Sequence, residues 1–207
     1  MAEDSDSFLI EVDLEPTRAA CERVKDTLTK LRCAYDLASF EYTRRVRISP
    51  YEIPHSHPVL TLNTRSDSEG ALLCTYLHEQ MHWYLWRLGS ADNDPIGPFY
   101  SELKARYRNA PVTIPEGAND EYSTYLHLVV NWLEIEAAST FLGRDQAIAF
   151  ALATPVYRWI YRQVVADWDS LGQLYRRHDL VPIKPASAFC AEIVAEFNAS
   201  ATANTTA

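Results

Sequence analysis

The 207-residue chain is long enough for one compact domain with a sizeable core, and 47% hydrophobic against 23% charged residues is a globular composition, not a disordered one. A formal charge of -9 at pH 7 argues against a nucleic-acid backbone partner, which calls for a clustered basic face. The opening MAEDSDSFLI has no basic segment leading into an apolar one, no apolar run reaches the roughly 18 residues of a membrane span, and Cys21, Cys33, Cys74 and Cys190 form no CxxC pair. Together these predict a cytoplasmic protein with reduced thiols and with neither a membrane nor a nucleic-acid partner.

In chain order, the alternating, Ile- and Val-rich Phe8 to Leu14 predicts a strand, and Glu15-Pro16-Thr17 opens a helix to about Ala38. Tyr42 to Ile48 and Val59 to Thr64 read as extended, flanking a Pro-rich stretch that contains His55 and His57. The arginines Arg44, Arg45 and Arg47 beside the first of these read as a solvated face. Helices dominate from there. Ser66-Asp67-Ser68-Glu69 caps a helix from about Glu69 to Leu88 that stops at Gly89. Shorter helices are expected around Phe99 to Arg108 and from Gly143 to Thr154. Asn119-Asp120-Glu121 caps a long helix to about Leu142, and Pro155 opens another from Val156 to about Arg177. A last helix is expected over Ala186 to Phe197. The fold class is α+β and mostly helical: a small N-terminal antiparallel or mixed sheet packed on the Glu69 helix, then a helical C-terminal half. One domain is expected over residues 1–198, with 199–207 a disordered tail.

Chemistry concentrates in His78-Glu79-Gln80-Met81-His82. Two histidines four apart project from one helix face and can share a tetrahedral metal, while Glu79, next to the first, can take the proton of a metal-bound water. A catalytic zinc needs a third protein ligand and an open position. The helix after Asp120 is the obvious source: YLHLVVNWLEIEAAS, from Tyr125, is apolar except for His127, Asn131, Glu134 and Glu136. His127, Asn131 and Glu134 fall at i, i+4 and i+7, one stripe of a helix that otherwise looks buried, and buried polar groups need partners. His127 and Glu134 stand two turns, about 10 Å, apart, so one of them is the ligand and not both.

The HExxH helix followed by a second helix that donates a glutamate resembles the gluzincin group of zincin metallopeptidases. Glu134-Ile135-Glu136-Ala137-Ala138 is similar to the ExxAD pattern of the CAAX-type metallopeptidases, except that Ala138 stands where that family has aspartate. The resemblance implies Glu134 as third ligand beside His78 and His82, one zinc ion, Glu79 as general base, and leaves His127 to stabilise an oxyanion or orient substrate.

Tyr157 and Tyr161, four apart, are further oxyanion candidates, with packing their simpler role. His55 and His57 lack the acids or cysteines of a second metal site, and a di-iron bundle would need two helical ExxH motifs, of which the chain has one. The expectation is therefore a zinc-dependent hydrolase acting on an amide bond, with the strand near Val59 to Thr64 lining the cleft. Alternatives are a zincin-scaffold enzyme acting on a small molecule and a non-catalytic metal-binding interaction domain.

Overall fold

A computed structural model describes residues 8–12, 18–89 and 94–196. The expected tail at 199–207 and the Pro16 helix opening lie outside them. The contacts gather into two compact units, residues 1–83 with 185–207, and residues 84–184, divided inside a single helix.

In the first unit, β1 (Leu9–Val12), α1 (Arg18–Ala34), β2 (Arg45–Ile48), β3 (Leu60–Leu62) and α2 (Glu69–Leu88) follow in order. The sheet has the order β1-β2-β3 and is parallel throughout, which corrects the antiparallel or mixed sheet expected. The reason lies in the connections. Helix α1 carries the chain from β1 to β2, and eleven residues with three prolines separate β2 from β3, so neither join is a hairpin. Inside that second join His55 forms an isolated antiparallel bridge to Thr61, taking both its N–H and its C=O at 2.8 and 3.1 Å. Residue alternation marks a strand but carries no direction, which is why the sequence left this open. Val46, Ile48, Leu60 and Leu62, in register on one face of the sheet, are all fully buried, while Arg45 and Arg47 on the other face of β2 are half-buried.

A buried polar network ties α2 into this unit. Arg32 of α1 grips the Glu41 carboxylate with two hydrogen bonds, 2.7 and 3.1 Å, and the Tyr76 hydroxyl donates to the same carboxylate at 3.1 Å. Burial, then the charge of Glu41, pushes the Tyr76 phenol well above its ordinary range, so it remains a donor. One turn on, the Gln80 oxygen accepts the Tyr42 and Thr43 N–H groups at 2.8 and 3.1 Å, and its amide donates to the Thr43 carbonyl at 3.0 Å. Trp83 donates from Nε1 to the Ser56 carbonyl at 2.8 Å.

The second unit is helical: α3 (Gly97–Arg106), α4 (Glu121–Leu142), α5 (Arg144–Ala153), α6 (Arg158–Ala166) and α7 (Trp168–Arg177). Helix α4 is its axis, packed against the other four. Asp120 caps it by accepting the Ser123 N–H at 2.7 Å. The single helix expected over 156–177 is two, broken at Asp167. Its carboxylate accepts from Tyr107 at 2.8 Å and Gln163 at 2.7 Å, and its carbonyl accepts the Leu171 N–H of the next helix. That break is a tertiary effect, since Tyr107 lies 60 residues away. All four cysteines are free, and among the described residues no helix is long and apolar enough to cross a membrane.

Replacing Gln80 by Leu strands two buried backbone donors and one acceptor, at about 1–3 kcal/mol for each group left unpaired after relaxation. Gln80→Leu is expected to lower unfolding free energy by about 2–4 kcal/mol in urea titrations, and a loss below about 0.5 kcal/mol would sink this account of how α2 is held.

Candidate metal centre

Each residue of an α-helix advances about 100° around the axis. Tyr76, Gln80 and Trp83 therefore share one face of α2, and His78 and His82, about 40° apart, share the opposite one. The network above occupies the first face, so the imidazoles occupy the second. Their ring centroids are 5.1 Å apart. His78 and Glu79 are buried, and His82 is half-buried.

On α4 the expected polar stripe is real and buried: His127 is 8%, Asn131 0% and Glu134 3% exposed. His127 Nδ1 lies 2.7 Å from the Ser123 carbonyl, one turn back on the same helix. A carbonyl only accepts, so Nδ1 carries a hydrogen; in the neutral ring the lone pair is then on Nε2, the tautomer that a metal-binding imidazole needs. The Tyr157 ring lies against the imidazole, centroids 4.2 Å apart. Tyr157 has φ 57°, in the left-handed region, which costs a non-glycine residue about 1–2 kcal/mol and is a form of strain that gathers at functional sites. Further along, the Tyr161 hydroxyl donates to Glu134 Oε2 at 2.6 Å. Its proton is directed at that carboxylate.

Among the described residues, His78, His82 and His127 form a group that could hold a metal ion, their ligand nitrogens all within 4.8 Å of one another. A zinc ion bound at about 2.0–2.1 Å holds tetrahedral nitrogens about 3.3 Å apart, inside the 4.8 Å bound of this group. Of the two candidates for third ligand, the histidine is the one in this group. Glu134, preferred on the resemblance, stands two turns along α4 with its carboxylate on Tyr161. His55 and His57 belong to no such group: His55 pairs with Thr61 and Ile53, and His57 stacks on Trp83 at 4.2 Å.

Sequence reasoning missed the Ser123 carbonyl, because a backbone group carries no residue-type signal, and it missed the strain at Tyr157. The pairing of Tyr161 with Glu134 could be found only from the packing of α6 on α4. In comparison with known proteins the chain matches no family model, no curated protein and no solved structure.

A buried hydrogen bond to a carboxylate contributes about 1.5–3 kcal/mol. Tyr161→Phe is expected to destabilise the protein by about 2 kcal/mol, and adding Glu134→Leu should then cost less than in the wild-type background, a coupling that thermal or chemical denaturation of the four-member cycle measures. Strict additivity would show that the two side chains act independently.

Proposed function

We propose that the protein is a mononuclear zinc-dependent hydrolase of the zincin kind, cleaving an amide bond, with His78, His82 and His127 as ligands and Glu79 as general base. The observation that carries this reading is the three-histidine group, supported by the Ser123 carbonyl that fixes the His127 ring through Nδ1. The donor set fits the metal: three neutral imidazoles and an open fourth position are a known catalytic zinc arrangement. When bound, zinc would supply Lewis acidity and bring the pKa of a bound water towards neutrality.

The chain's own residues do the rest. Glu79, buried beside the first ligand, accepts the water's proton and returns it to the leaving amine. The Ser123 carbonyl holds His127 in one tautomer and one orientation and raises its basicity as a ligand. Glu134, bonded to Tyr161, is a supporting group of the α4 stripe under this reading and not a ligand.

Small or short substrates are favoured over long extended peptides by one observation. A zincin cleft receives an extended chain along a sheet edge, but β3 is three residues long and the hydrogen-bonding groups of Thr61 on its outer edge are both taken by His55. An enzyme of small-molecule metabolism remains the second reading, from the same fact.

Purified protein is expected to hold about one zinc per chain by elemental analysis, the three-ligand catalytic stoichiometry. His78→Ala, His82→Ala and His127→Ala should each lose most of it, and Glu134→Ala should keep it. Zinc retained in His127→Ala but lost in Glu134→Ala would transfer the third ligand to the glutamate. Glu79→Gln should keep the metal and lose turnover of short acylated peptide amides by about 10²-fold or more, the scale of general-base catalysis; unchanged turnover rules out the hydrolase.

A further inference from the structure

One member of the buried α4 stripe is left without side-chain hydrogen bonds among the described residues. Asn131 is fully buried, and neither Oδ1 nor Nδ2 has a hydrogen-bond partner among the described residues. It is the middle member of the α4 stripe, within about 60° of both His127 and Glu134 around the helix. Its neighbours on the stripe are each satisfied: His127 donates to Ser123 and faces the Tyr157 ring, and Glu134 accepts from Tyr161. A carboxamide with both ends unpaired in an apolar helix core is costly, and a hydrocarbon side chain of the same size would carry no such cost.

From this juxtaposition we infer that Asn131 is a substrate-binding residue, reading a neutral amide group of the ligand beside the reacting bond. The inference rests on the metal reading above and adds the substrate class to it. The carboxamide offers two donors and an acceptor, and a peptide-like amide offers the complementary acceptor and donor, so one ligand group satisfies both orphaned ends. A carboxylate on the ligand would pair only with Nδ2, face Oδ1 with like polarity, and lie one turn from the Glu134 carboxylate, so anionic ligands are rejected. The ligand is thus a short, amide-bearing molecule whose group next to the scissile bond is uncharged.

The test uses hydroxamates, which anchor on zinc, so that the added group is read separately from metal binding. Zinc-loaded wild-type protein is titrated with acetohydroxamate, with N-acetylglycine hydroxamate, which adds one amide, and with the monohydroxamate of succinic acid, which adds a carboxylate. The added amide is expected to tighten binding about tenfold and the carboxylate not at all, a difference the size of one good polar contact. Asn131→Leu should bind acetohydroxamate as wild type does, lose the amide gain, and melt at a higher temperature. Asn131→Asp, which keeps the shape and adds a charge, is the second variant and should also lose the gain. No gain in wild type, a gain for the carboxylate, or a gain that survives in the variants overturns the inference. So does an Asn131→Leu that melts lower and keeps the gain, which would make Asn131 a structural group bonded through internal water. Failure of wild type to hold zinc or to bind acetohydroxamate sinks the metal reading and this one with it, and is distinct from the other outcomes because the anchor itself is lost.

Discussion

A helix that advances about 100° per residue has no independent faces: holding one face of α2 decides where the other points. Gln80 supplies that hold. Its carboxamide answers three backbone groups of Tyr42 and Thr43 just ahead of β2, and Tyr76, one turn earlier, joins the Arg32–Glu41 pair. The two imidazoles of the HExxH are thereby committed to the opposite side. The residue that the motif leaves unspecified, the first x, is the one that orients the motif.

Helix α4 meets a different constraint. It is the axis of its unit and is packed on nearly every side, so each polar group on it must be answered locally or by a ligand. His127 is answered by its own helix, through Ser123, and Glu134 by α6, through Tyr161. Asn131 is answered by neither. Strain at Tyr157, against His127, and an orphaned amide one turn away are both costs that packing alone would have removed, and both sit beside the candidate ligand.

The parallel sheet shows how little of a strand's context is local. Its residues were recognisable from alternation, yet direction depended on α1 and on the path of the Pro-rich join, whose His55 returns to cover Thr61. The same join covers the outer edge of β3, where His55 takes both outward hydrogen-bonding groups of Thr61. The break at Asp167 has the same origin, in a hydrogen bond from a tyrosine 60 residues away.

Much was legible in the residues themselves. The α2 boundaries, the Asp120 cap, the length of α4 and the burial of its polar stripe all follow from local rules, because caps, glycine stops and 3.6-residue periodicity act over a few positions. HExxH marked His78, Glu79 and His82 for the same reason: four residues on a helix is a distance that sequence alone determines. Sequence left a choice between His127 and Glu134, since two turns of one helix are equivalent until something outside that helix distinguishes them. The Ser123 carbonyl, the Tyr161 hydroxyl and the unpaired Asn131 are such distinctions, and all three depend on backbone groups or on packing between helices, which no residue pattern encodes.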